Sequence, residues 1–221
     1  MTTTTRQQQA SFEPHRDADE RTRQRILRAA AVVFDRKGYA AAPVREIVEA
    51  AGVTKPALYY HFGSKSGLLL AVLDEAARRF GEALDRAVAR GGTTRERLIA
   101  LGEDLHNLLQ EHTPIVRVAH ALAFGPAESA PPFDFTVFDR RLVGALERIV
   151  EDGLAAGEVP PARPEDVALA VMGVIGACGA RQVRPGLEPV GLDGLHRVLG
   201  LLFDGVLNRN AALPHSGDRP V

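Results

Sequence analysis

Between Lys55 and Lys65 the chain reads KPALYYHFGSK, which places two ammonium groups, two phenols and an imidazole within eleven residues. The whole 221-residue protein has three tyrosines and no tryptophan. Phenolic hydroxyls and ammonium groups suit phosphate oxygens, and aromatic rings pack on thymine methyl groups, so the chemistry on offer is nucleic-acid contact rather than bond making. At 100° per residue, Leu58 and Phe62 point to one side of a helix and Pro56 and Tyr60 to the other, with Ala57 and Tyr59 on the flanks. Thr54 serves as the N-cap, and Pro56 sits in the first turn, where its missing N–H costs little. Tyr59 and Tyr60, beside Lys55, His61 and Lys65, therefore form a candidate DNA-facing set, with Thr54 and Pro56 at its exposed start. The alternative is that either tyrosine packs against the first or the fourth helix.

Such a face needs a scaffold that turns it outward. In VREIVEAAGVTKPALYYHF, two short helices at about 44 to 51 and 55 to 62 flank Gly52, whose freedom to take a positive φ suits a helix-turn-helix. Ile47, Val48, Val53, Leu58 and Phe62 supply the apolar positions. A first helix is expected from about Glu20 to Lys37 on the spacing of Ile26, Leu27, Ala30, Val33 and Phe34. A long fourth helix should run from about Lys65 to Arg90, with Ser64 at its cap. Thr93 and Glu96 form a capping box opening a helix to about Glu111. Further helices are expected at about 114 to 124 and 133 to 156, from Pro164 onward, and at about 190 to 210. No stretch alternates convincingly between apolar and polar residues, so the fold class is all-α with about nine helices. Residues 1–18 and 211–221 read as mobile tails, 19–66 as a helix-turn-helix domain and 67–210 as a second, larger domain.

Composition narrows the classes. Hydrophobic residues make up 45% and charged residues 25% of the chain, as in ordinary soluble proteins. The opening MTTTTRQQQASFEPHRD lacks the apolar centre of a secretory signal, and no apolar run approaches the roughly 20 residues that cross a bilayer. A cytosolic protein with no membrane partner is expected. Cys178 is the single cysteine, so no internal disulfide forms, and amid small residues it reads as a buried, inert thiol. The formal net charge is −1, yet the first 70 residues carry 11 Lys and Arg against 7 Asp and Glu, and the excess of acid lies in the rest. That asymmetry fits either a polyanion at the N-terminal end or an ordinary solvated surface. There is no nucleophile elbow or glycine-rich phosphate loop, and His106, His112 and His120 lack the i, i+4 spacing of a helical metal pair. No enzyme, cofactor or metal site is expected.

Residues 21 to 70, through Phe34, Gly38, Arg45-Glu46-Ile47, Ala51-Gly52-Val53, Leu58-Tyr59-Tyr60-His61-Phe62 and Ser64-Lys65, resemble the DNA-binding domain of the TetR family of bacterial transcriptional regulators. The resemblance implies an all-helical homodimer, with an N-terminal three-helix DNA-binding domain and a larger C-terminal domain for ligand binding and dimerisation. It makes Arg45, Lys55, Ala57, Tyr59 and His61 candidates for groove contacts, and Tyr60 and Lys65 candidates for phosphate contacts. Pro43 departs from the family's usual Ser or Thr before the second helix, and Val48 replaces a usual Ala.

In the second domain, Leu105, His106, Leu109, Arg117, His120, Phe124, Phe133, Phe138 and Met172 are candidates to line an apolar pocket with a few polar groups, the alternative being plain core. Val171, Val174 and Cys178 belong to one apolar stripe of the last two helices, and Leu195, Leu199, Leu202, Phe203 and Val206 to another. Gly173, Gly176 and Gly179 among them suggest close approach of another helix. Both stripes are assigned to a four-helix dimer interface, the alternative being the subunit's own core. The function expected is that of a homodimeric repressor released from a palindromic double-stranded DNA operator by an unknown small-molecule effector. Its alternative is an effector-independent DNA-binding or architectural protein.

Overall fold

The computed structural model describes residues 13–124, 130–184 and 186–206. The expected tails at 1–12 and 211–221 lie outside the described residues. Among those described, every regular element is helical: α1 Glu13–Lys37, α2 Val44–Ala51, α3 Lys55–Phe62, α4 Lys65–Ala89, α5 Thr94–Glu111, α6 Thr113–Phe124, α7 Thr136–Ala155, α8 Pro164–Val183 and α9 Gly191–Val206.

Residues 13–18, expected to be tail, are the first turns of α1. They carry no apolar stripe, so periodicity starts only at Ile26. The helix is extended by local means instead: Pro14 falls in the first turn, Gln24 donates to Glu20 at 2.9 Å, and the Thr22 hydroxyl donates to the Ala18 carbonyl at 2.9 Å. Phe133 and Phe135 lie ahead of α7 rather than within it.

Two compact units partition the chain, one comprising residues up to 79 together with 112–135, the other 80–111 and 136 onward. In the first, α1 packs on α2, α3 and α6, over a core that includes Ile26, Phe34, Ile47, Leu58, Leu68 and Leu69. Asp35 on α1 meets Arg117 on α6 at 3.1 Å. In the second, α5, α7, α8 and α9 pack on one another, around Leu98, Leu101, Leu146, Ile149, Leu199 and Phe203. The capping box forms as the sequence suggests, Glu96 N–H donating to the Thr93 hydroxyl at 3.3 Å and Thr93 N–H to the Glu96 carboxylate at 2.9 Å.

Against expectation, α8 is long and apolar enough by composition to cross a membrane. It packs instead on α7, α5 and α9, with Val167, Ala168, Val171 and Ile175 buried.

A buried carboxylate stabilises the first unit. Glu75, with a side chain 8% exposed, accepts from Arg78 at 2.8 and 2.9 Å and from Arg79 at 2.7 Å, while Arg79 meets His112 Nε2 at 2.7 Å. The Arg78 hydrogen bond, opposed by burial, holds the Glu75 carboxyl below its ordinary range. A depressed carboxylate contributes stability that is full above the unfolded pKa of about 4.3 and is lost as pH falls through the native value. Glu75→Gln is therefore expected to cost about 2 kcal/mol at pH 7, with the gap to wild type narrowing below about pH 4. Urea denaturation at the two pH values measures both.

Candidate nucleic-acid interface

Two eight-residue helices and a three-residue turn make the candidate site. α2 ends in a Schellman turn: Gly52 takes φ 61° and ψ 43°, its N–H donates to Glu49 at 3.1 Å, and Val53 N–H reaches back to Val48 at 3.0 Å. Thr54 then caps α3 by accepting from Ala57 N–H at 3.4 Å. Ile47, Val48 and Leu58 are buried under the turn, so each helix has one side fixed to the core. Pro43 precedes α2 with no side-chain cap.

The opposite side of α3 is open. Tyr60 is 79% and Tyr59 45% exposed; Thr54, Lys55 and Pro56 are exposed and Ala57 half-buried. Arg45 projects from α2, 3.6 Å from Glu49 one turn on. Lys65 is half-buried and sits against the loop before α2, donating to the Ala40 carbonyl at 3.1 Å with its ammonium 4.7 Å from the centre of the Tyr39 ring. Burial lowers its pKa. Tyr39, whose hydroxyl is 2.9 Å from that of Ser66, thus holds the lysine in place. The Gly38-Tyr39 pair following Phe34 was the available signal for it, since Phe34 packs edge-on to that ring.

His61 is a correction. Its side chain is 7% exposed and lies 3.6 Å from Asp19 of α1, so it faces inward instead of toward a groove. The helical angle explains this: 61 lies only 60° from the buried Leu58, on the core's flank. Near α2, Glu46 is held by Lys37 at 2.6 Å and by Arg36 at 3.4 Å. The Lys37 hydrogen bond, with burial opposing it, keeps the Glu46 carboxyl below its ordinary range.

The candidate pocket residues fall into both units. Arg117, His120, Phe124 and Phe133 belong to the first; Leu105, His106, Leu109, Phe138 and Met172 belong to the second. Arg117 is engaged by Asp35, whose pKa is raised by burial against the pull of that arginine. His120 stacks obliquely on Phe124 at 4.8 Å, Phe80 packs edge-on to Phe138 at 5.3 Å, and Leu105 is buried in the second core.

The dimer stripes need a second correction. Val171, Leu195, Leu199 and Phe203 are buried in their own chain's core, while Val174, Cys178 and Leu202 are partly buried against it; the Val206 side chain lies outside the described residues. Apolar surface is presented instead by Leu169 of α8 at 62% exposure and by Val198 and Leu201 of α9 at 38% and 75%. Gly173 and Gly176 of α8 border open space, whereas Gly179 already meets Leu109. Burial raises the Cys178 thiol pKa, Arg181 partly offsetting it.

Residues 26–72 match the family model described as bacterial regulatory proteins, tetR family. The transcriptional activator FasR of Mycolicibacterium smegmatis is 32% identical over 158 residues, which cover 66% of this chain and 72% of FasR. The transcriptional repressor KstR of the same organism is 29% identical over 137 residues, covering 62% of this chain and 67% of KstR. The fold is shared with the transcriptional regulator FadR from Bacillus subtilis in complex with stearoyl-CoA, at TM-score 0.65 and 20% identity over 83% of this chain and 98% of that one.

Replacing Gly52 by Ala sets a Cβ 2.8 Å from the Arg25 guanidinium at a left-handed φ. The variant is expected to lose about 1–2 kcal/mol of stability, read as a lowered midpoint in thermal denaturation.

Proposed function

Because the chain belongs to the TetR family of bacterial regulatory proteins, which are DNA-binding transcription regulators and not enzymes, we propose that a homodimer of it reads a palindromic operator with α3 in the major groove. The observation that carries this reading is the outward face of α3: Tyr59, Tyr60 and Lys55 stand clear of a helix whose other side is fixed by Leu58. Lys55, Tyr59 and Ala57, with Arg45 from α2, meet base edges, and Thr54 and Pro56 border the groove. Tyr60 and Lys65 meet phosphates, the lysine keeping donors beyond the one given to Ala40. His61 contributes from behind, by holding α3 to α1.

The dimer forms through α8 and α9 on the exposed Leu169, Leu201 and Val198, with Gly173 and Gly176 allowing close backbone approach. A two-fold axis sets two copies of α3 about one DNA turn, roughly 34 Å, apart. The dimer acts in the cytoplasm as a repressor, and a small-molecule effector releases it by binding the DNA-free state more tightly. Relatives named repressor and activator both occur, so blocking a promoter is one use of the same grip. FadR's complex with stearoyl-CoA makes acyl-CoA thioesters the first effectors to test. A coupling of about 1–3 kcal/mol would change operator affinity by about 5–150-fold.

Effector-independent binding is the second reading. In the second unit, the more enclosed cavity, beside Leu98, Val171 and Phe203, measures about 10 Å³, room for a single water, whereas a more open cleft of about 250 Å³ lies against Leu84, Val88, Arg141 and Arg148. Calorimetry with acyl-CoAs of several lengths, with and without the bound duplex, separates the two readings, since the second gives neither heat nor coupling.

Duplexes enriched from a randomised library by the wild-type protein test the main reading. Lys65→Ala is expected to lower the slope of log affinity against log salt by about one. Tyr60→Ala removes a neutral contact, so it should weaken binding about tenfold and leave that slope unchanged. Lys55→Ala is expected to alter the base preference at defined positions; identical selected sites would remove it from the groove. Leu201→Glu is expected to sediment as a monomer with poor operator affinity.

A further inference from the structure

Three side chains of α1, between its second turn and its middle, reach the reading element. Asp19 lies 3.6 Å from the buried His61 of α3. The Arg23 guanidinium stands 5.7 Å from the centre of the Phe62 ring, the last residue of that helix. Arg25 donates from Nη2 to the Ala51 carbonyl at 2.5 Å and to the Gly52 carbonyl at 3.0 Å. These two carbonyls end α2, where the last turn's acceptors lack intrahelical donors and the dipole's negative end favours a cation. Arg25 therefore occupies acceptors that water would otherwise take, and it does so at the turn that sets the angle between α2 and α3. The left-handed Gly52 leaves the guanidinium its place, because a Cβ there would stand 2.8 Å from Nη2.

All three residues precede the stretch 26–72 that the family model describes. Asp19 and Arg23 precede the apolar stripe that starts at Ile26, and Arg25, beside it, is exposed, so core packing does not account for these side chains. We infer that Asp19, Arg23 and Arg25 form a brace that positions α3 for sequence reading, Arg25 being the positioning residue at the turn. This inference rests on the reading of α3 as the recognition helix. Arg25 is exposed, and the competing role for an exposed arginine beside DNA is a phosphate contact. The two roles differ in what they change. A phosphate contact contributes equally to all sequences and adds about one to the salt slope; a brace contributes to the discrimination between the right sequence and others, with no ion released.

The test compares Arg25→Lys and Arg25→Gln with wild type on two duplexes of equal length, one enriched from a randomised library by the wild-type protein and one of random sequence, across a range of salt. Thermal melting of each variant checks that the fold is retained. The brace predicts that both variants lose about tenfold on the enriched duplex, since neither side chain reproduces a two-carbonyl grip. Affinity for the random duplex and the salt slope should match wild type. The inference is overturned if Arg25→Lys binds as wild type while Arg25→Gln weakens on both duplexes with a slope lower by about one, for that is a phosphate contact. It is overturned equally if neither variant changes the ratio of the two affinities, or if both lose binding to each duplex in step with lost melting temperature. A wild-type protein that enriches no duplex would instead overturn the DNA-binding reading, and the brace with it.

Discussion

An eight-residue helix has no stability of its own in water, because the cost of nucleating it is not recovered over two turns. α3 exists in this protein because its surroundings impose it. Thr54 closes its first turn, Leu58 is wholly buried, and α2 delivers the chain to it through a Schellman turn that fixes the entry direction. Everything the outward face can do depends on that imposed helix. Tyr60, two residues and about 200° of helix from Leu58, is exposed because Leu58 is not. On the proposed reading, α3 is a rigid display, and its specificity rests on the angle at Gly52 as much as on the groups displayed.

Much of this was legible in the residues. Gly52 between two apolar patterns announced the turn, Thr54 ahead of Lys55-Pro56 announced the start of a helix, and the Thr93 to Glu96 box announced another; each is a local signal whose partner lies within a few residues. The losses have different causes. His61 lies on the flank of the buried Leu58 and meets Asp19, 42 positions earlier in the chain, and the first turns of α1 are held by local polar contacts that leave no hydrophobic period. Lys65 looked free, but Tyr39 and Ala40 engage it. A pattern read along a chain sees spacing, and the engagement of Lys65 depends on partners that spacing does not encode.

The stripes on α8 and α9 fail differently, because the pattern was right and its owner was not. Val171, Leu195, Leu199 and Phe203 recur at helical steps and are buried, but in their own subunit. A single amphipathic stripe says that a face is covered without saying by whom. What distinguishes α8 is apolar surface beyond that stripe: Leu169, Gly173 and Gly176 lie on a side its own chain leaves open, and by composition alone the helix would suit a bilayer.

An apolar helix covered on one side needs a second cover if it is to stay in water. Each glycine costs about 1 kcal/mol relative to alanine in an exposed helix, a loss that close contact with a second backbone would offset. The excess apolar surface and the small residues therefore argue together for the same thing, another helix lying along α8. A second copy of this chain is the simplest source, because it brings an identical open face and adds a second α3 in the same step. The proposed dimer then answers two separate demands with one contact: it removes an apolar surface from water, and it doubles a reader too small to select a site alone.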